Sequence, residues 1–169
     1  MQLPEFKPDH LNPDHLNAVI RAINSGPFFK HMSMQVMALG IGSATVSLAI
    51  GREHMNPFGG LHGGVYASAI DTAAYWSAYC ELPEESGLVT IDLKVDFLAA
   101  VDDTRIIVVG QCIKAGKTLC LTEARMCDSQ GKVLAHGTSK LMVTRNKQAI
   151  SDVVAYTGSD RLPPKFLQK

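Results

Sequence analysis

The sequence predicts an α+β fold in which one long central helix is wrapped by a curved antiparallel β-sheet. Three observations lead there. A stretch of small and apolar residues from about His62 to Cys80 has helical length and no strand-like alternation. Runs of period-two alternation lie on both sides of it, and clusters of Gly, Pro, Asn and Asp separate the runs.

Taken in order, Asn12-Pro13-Asp14 reads as an N-cap with proline at the first helical position, opening a helix through Leu16, Val19, Ile20 and Ile23 that ends at Ser25-Gly26-Pro27. From Gln35 the period becomes two. Val36 to Leu39 forms a short strand, Gly40-Ile41-Gly42 a turn, and Ala44, Val46, Leu48 and Ile50 one face of a second strand, which together read as a hairpin. The loop from Glu53 to Leu61 is too rich in Gly and Pro for either regular state, and the central helix follows. Its apolar residues occupy nearly every side, which predicts burial all round. After Leu82-Pro83 come four strands. In the first, Val89, Ile91, Leu93, Val95 and Phe97 alternate with Thr90, Asp92, Lys94 and Asp96; the others are Arg105 to Lys114, Thr118 to Cys127 and Val133 to Thr144. Short turns suggest an antiparallel meander. A helix enclosed by one sheet stays open on one side, so pairing with a second copy is expected. We divide the chain into an N-terminal helical extension (1–30), a central domain (31–147) and a C-terminal extension (148–169) whose structure the residues do not define.

Composition narrows the function classes. The 169 residues carry 16 Lys and Arg against 16 Asp and Glu, and 46% are hydrophobic, so no basic excess points to nucleic acid. No apolar run approaches the length of a membrane span, and Met1 to Asp9 lack the pattern of a secretory leader. Cys80, Cys112, Cys120 and Cys127 form no C-x-x-C pair and read as reduced core thiols, which fits a cytoplasmic protein. The histidines do not fall at metal-ligand spacings, and no metal is expected.

Within the central helix one carboxylate, Asp71, sits among small and apolar side chains, with Arg52 and Lys94 the nearest basic residues in sequence. A desolvated aspartate without a local partner is a candidate general base or nucleophile; the alternative is a structural carboxylate that pairs at longer range. His62-Gly63-Gly64 opens the helix. A backbone N–H at a helix N-terminus can polarise a carbonyl, although glycines also serve simply to turn the chain. Asp71 lies eight residues beyond Gly63, roughly 12 Å along the axis. One reacting carbonyl cannot touch both in a single chain, so cooperation between them requires an antiparallel partner helix and sites shared between subunits. Asn56 in the preceding loop either contacts substrate or opens a turn, and Asn-Pro favours the turn.

Asn56, His62-Gly63-Gly64, Asp71, Val89-Thr90-Ile91-Asp92 and Gly116-Lys117-Thr118, in this order and at this spacing, resemble the PaaI-like acyl-CoA thioesterases of the hotdog fold, over roughly residues 35 to 145. The resemblance implies that Gly63 and His62 form the carbonyl site, with Gly64 beside them. It further implies that Asn56 positions substrate or water, that Asp71 of the partner subunit is base or nucleophile, and that Thr90 orients the hydrolytic group. Thr90 also shares its alternation with Asp92 and Lys94, and a solvent-facing threonine is the plain alternative. Phe97-Leu98-Ala99-Ala100 departs from the family, which often has proline there. The family reading implies an acyl-CoA substrate, no cofactor beyond the coenzyme A of that substrate, and a homodimer that assembles further into a dimer of dimers.

Gly110 to Thr118 imitates a phosphate-binding loop, but it has five residues between its glycines instead of four and is followed by a strand. Lys114 and Lys117 remain candidates for contacting coenzyme A phosphates from a hairpin turn, against a solvated turn. Tyr75, close to Asp71 on a helical projection, is a candidate wall of the acyl path. Two other readings share the fold: an enoyl-CoA hydratase, for which Glu53-His54-Met55-Asn56-Pro57 lacks the expected Asp and spacing, and a non-catalytic acyl-CoA binding protein.

Overall fold

Helix α1 (Pro13–Ser25) begins where the sequence predicts, because the Asn12 side chain accepts the Asp14 N–H at 3.1 Å and proline occupies the first turn. The structure is a computed structural model and describes residues 10–145 and 147–167; the expectation about Met1 to Asp9 lies outside the described residues. After a one-turn helix α2 (Pro27–His31), strands β1 (Met34–Gly40) and β2 (Ser43–Ala49) form the expected hairpin, closed by Gly42 at φ +63°. Helix α3 (Gly63–Tyr79) is the central helix. It is followed by β3 (Ser86–Phe97), β4 (Arg105–Ala115), β5 (Leu119–Cys127), β6 (Val133–Arg145) and a short helix α4 (Ile150–Thr157).

All six strands form one antiparallel sheet in the order β1-β2-β4-β5-β6-β3. The meander expected for the last four strands therefore holds only for β4, β5 and β6. Strand β3 lies beyond β6 at the opposite edge. Alternation identifies the faces of a strand and not its neighbour, whereas the connection reveals it: β4–β5 and β5–β6 are joined by tight glycine-containing turns, but the longer segment 98–104 carries the chain from β3 across the sheet to β4.

Helix α3 packs on this sheet at backbone contact. A Cβ at Gly110 of β4 would fall 1.9 Å from the Ala73 carbonyl oxygen, and one at Gly137 of β6 would fall 2.5 Å from Ile70 Cγ2. Ala69, Ile70, Ala73 and Ala74 are fully buried there, in a core shared with Val46, Leu48, Ile106, Val108 and Met126. Burial all round, however, is not what the helix shows. Gly63, Gly64, Ala67, Ser68, Asp71, Thr72 and Tyr75 remain exposed or half-buried and recur at helical spacing, so one stripe is uncovered in the single chain. Small and apolar composition hid this stripe, because its residues differ little in polarity from those facing the sheet.

The C-terminal segment returns to the end of α3. Lys165 is fully buried: its ammonium donates to the carbonyls of Tyr79 and of Leu82 (2.8 Å) and lies 3.7 Å from the centre of the Tyr79 ring. It thereby satisfies carbonyls that the end of a helix leaves without partners. Alongside, His15 bridges the Pro163 carbonyl (2.6 Å) and the Tyr79 hydroxyl (2.7 Å). Since a carbonyl only accepts, Nδ1 carries the proton and Nε2 accepts from Tyr79. Burial lowers the pKa of His15 and favours this neutral state.

Replacing Lys165 by Met, which keeps the stem but not the donors, is expected to cost about 2–3 kcal/mol in denaturant unfolding, the penalty for leaving buried carbonyls unsatisfied. Burial lowers the Lys165 pKa to about 8 from an ordinary 10.5, partly opposed by Cys80 and Glu84. The folded state then releases this proton before the unfolded state does, so the residue's contribution to stability rises as pH climbs through 8 toward 10.5. The stability gap between wild type and Lys165→Met should accordingly widen from pH 7 to pH 9.

Candidate active site

Helix α3 starts on His62, whose backbone is extended (φ −67°, ψ 135°) and whose Nδ1 accepts the Gly64 N–H at 2.9 Å. This capping bond spends the Gly64 N–H. The Gly63 N–H, at the first helical position, has no partner among the described residues and carries the positive end of the helix dipole. A Cβ at Gly63 would meet only the Phe97 ring at 3.6 Å, whereas one at Gly64 would press on His62 Nδ1 at 3.0 Å. Glycine is thus demanded more by the cap at 64 than by space at 63.

Asn56 organises the loop ahead of the helix. Its Oδ1 accepts the N–H groups of Phe58 (2.9 Å) and Gly60 (3.1 Å), and its backbone pairs with Gly60 and Gly59. The turn favoured from the sequence is therefore present, and Nδ2 is left as the side chain's available donor. His54, weighed in the sequence only as part of the loop for the hydratase alternative, is buried behind this loop. Its Nδ1 accepts the Gly51 N–H (2.9 Å), its carbonyl accepts the His62 N–H (2.9 Å), and Nε2 has no partner among the described residues. The only signal it gave was its place two residues before Asn56.

Asp71 lies two turns along α3, half-buried on the uncovered stripe. Thr90 Oγ1 donates to Asp71 Oδ1 at 3.0 Å, and no basic side chain pairs with the carboxylate among the described residues. Burial raises the Asp71 pKa, and the Thr90 hydrogen bond partly offsets it. One turn farther, the Tyr75 hydroxyl donates to the Leu88 carbonyl at 3.1 Å, and its pKa is pushed up to about 12 by burial and by the neighbouring Asp71 charge.

Thr90 reaches Asp71 because β3 carries a bulge. Thr90 pairs with Leu141 and Asp92 with Lys140, leaving Ile91 as the extra residue, 54% exposed. The insertion inverts the strand's phase. Leu88 and Thr90 face the helix before the bulge, whereas Asp92 lies on the outer face beyond it, 3.5 Å from Lys140. Unbroken alternation would have placed Thr90 with Asp92 and Lys94, the plain alternative considered from the sequence.

The structure thus brings together Asp71, Thr90 and Tyr75, and separately His62, Gly63 and Asn56. Lys114 and Lys117 join neither group. They are exposed at the β4–β5 hairpin, and β4 lies three strands from the β3 strand that carries Thr90, roughly 14 Å across the sheet.

The thioesterase superfamily model matches residues 58–135, the segment that holds both groups except Asn56. Over these residues the chain is similar to the thioesterase superfamily. Among relatives, a protein of Saccharolobus solfataricus provisionally named an esterase is 29% identical over 70% of this chain and 84% of its own length. Human acyl-coenzyme A thioesterase 13 is 25% identical over 72% of this chain and 89% of its own. The fold matches a thioesterase from Haemophilus influenzae at TM-score 0.73, with 19% identity over 82% of this chain and 96% of that one. It also matches a thioesterase family protein from Silicibacter pomeroyi at 0.70, with 23% identity over 76% and 97%. The hotdog fold and the PaaI-like resemblance read from the residues are borne out. Similarity to this family and to relatives named esterase and thioesterase supports a hydrolase and favours hydrolysis over alkene hydration.

Because the folded pKa of Asp71 is raised, ionising it costs stability as pH rises from the unfolded value near 4 through the folded one. Asp71→Asn should therefore raise the Tm at pH 7, and the gain should vanish below about pH 4, read by thermal unfolding across pH. Thr90→Val, which removes the compensating donor, should move the carboxyl titration of Asp71 to still higher pH, read by carbon-13 NMR.

Proposed function

We propose that the protein hydrolyses an acyl-CoA thioester to a carboxylic acid and free coenzyme A, at sites shared between the two subunits of a homodimer. The observation that carries this reading is Asp71: a half-buried carboxylate with a raised pKa and one hydroxyl donor, on the uncovered stripe of α3. Its distance from Gly63, roughly 12 Å along the same helix, excludes joint action on one carbonyl within a chain. The stripe of Gly64, Ala67, Ser68 and Thr72 lets a second α3 approach closely in the opposite direction, which sets Asp71 of the partner subunit beside the Gly63 N–H. Dimers of this kind pair further in the assembly we propose.

In this arrangement the Gly63 N–H, held by the His62–Gly64 cap, donates to the thioester carbonyl oxygen and stabilises the oxyanion. Asn56 Nδ2 is the second donor, for carbonyl or water. Asp71 takes a proton from water as the water oxygen bonds to the carbonyl carbon. The tetrahedral intermediate then collapses, the C–S bond breaks, and the departing thiolate takes up the proton. Direct attack by Asp71 gives a mixed anhydride that water opens, with the same products. Thr90 fixes the carboxylate in either route, and Tyr75 walls the acyl side. Lys114 and Lys117 would meet only the distant phosphates of coenzyme A.

Asp71→Asn should lower kcat by about 10²–10⁴. Gly63→Pro deletes the N–H at a helix position that accepts proline, next to a His62 backbone already extended as proline requires. It should fold normally and lose about 10²–10³ in kcat. Co-expressed, these two inactive chains form mixed dimers in which one of two sites is intact, so activity should return toward about a quarter of wild type. Absence of recovery in verified mixed dimers would place each site within one chain and refute the shared arrangement.

A further inference from the structure

At the C-terminal end of α3 the two extensions close over a cavity of about 560 Å³, within the range of small-molecule sites. Phe28 and Phe29 of α2, Trp76 of α3, Leu88 of β3, and Val153 and Tyr156 of α4 supply most of its apolar wall. Both elements that carry the acidic site continue into it. Tyr75 follows Asp71 by one turn of α3, ~6 Å of rise. Leu88 precedes Thr90 by two residues on the same face of β3, roughly 7 Å. Tyr75 and Leu88 both line the cavity and are joined by the hydroxyl-to-carbonyl bond that forms its inner threshold.

Several polar groups at the inner wall are already committed. The Tyr75 hydroxyl is bonded to Leu88, the Tyr79 hydroxyl to His15 Nε2 (2.7 Å), and the Asp152 carboxylate to the Ala149 N–H (3.1 Å). At this inner wall a polar occupant would lose its water and gain few partners, whereas a hydrocarbon chain loses nothing. We propose that this cavity receives the acyl chain of a medium-length or longer thioester, so that the subunit supplying Asp71 also supplies the acyl pocket, with α4 as its outer wall. This rests on the thioesterase reading above and adds the substrate class. Helices α1, α2 and α4 all lie outside the matched family segment, residues 58–135, so the outer part of this wall comes from the two extensions.

Trp76 is the chain's single tryptophan and lines the cavity, so its emission reports occupancy without any chemistry. Titration with decanoic acid should change that emission saturably, and Val153→Phe, which intrudes on the cavity, should weaken the binding at least tenfold. In turnover, kcat/KM should rise between butanoyl-CoA and decanoyl-CoA by about fourfold per methylene where the chain is fully buried. The decanoyl-to-butanoyl ratio should fall at least tenfold in Val153→Phe, while Val153→Ala should shift the preference toward longer chains. A wild-type ratio near one, or ratios unmoved by both variants, would overturn the pocket while leaving the thioesterase reading intact. Failure to turn over any acyl-CoA would instead refute the thioesterase reading, and decanoic acid binding at Trp76 would still decide the pocket. A Trp76 signal that follows protein concentration and ignores decanoic acid would assign the cavity to a second copy of the chain and overturn the proposal.

Discussion

The structure depends on how closely α3 approaches the sheet. At Gly110 and Gly137 no side chain separates helix from strand, and a methyl group at either would overlap Ala73 or Ile70. That contact fixes the depth and rotation of the helix. Its alanine-rich side is turned to the sheet, and the stripe holding Asp71 is turned away from it. A helix displaced by one side-chain layer would carry Asp71 beyond reach of Thr90. Backbone proximity also explains why α3 is so rich in small residues: larger ones would lift it off.

Most of the architecture was legible in the residues. The α1 cap at Asn12, the β1–β2 hairpin and the limits of α3 follow from local chemistry, in which one residue's preference decides one feature. What escaped reading arises between distant segments. No local signal in Ile91 announces a bulge, yet that residue decides whether Thr90 meets Asp71 or water. Lys165 reads as an ordinary surface cation, because lysine is seldom buried; only the free carbonyls at the end of α3, more than eighty residues earlier, give it a place inside. The site glycines were half legible. Gly63 and Gly64 look equivalent in sequence, but the His62 side chain takes one N–H and leaves the other.

The site also shows how the fold tolerates a costly group. Asp71 is half-buried, and no cation neutralises it among the described residues; one hydroxyl steadies it and one side stays open. A positive partner would have stabilised the carboxylate and weakened it as a base. Restraint in pairing thus keeps the group reactive, and the compact contact of α3 with the sheet supplies the stability that this restraint forgoes.

The strand order carries a consequence for how the molecule is made. Thr90 leaves the ribosome soon after Asp71, yet β3 has no sheet to join until β6 arrives, because Leu141 is its pairing partner. While β4 and β5 are being made the acidic helix is therefore present without its hydroxyl companion, and β3 waits as an unpaired hydrophobic segment. The Asp71–Thr90 pair comes together only when nearly the whole chain is in place, so a nascent chain arrested before β6 cannot assemble this half of the centre.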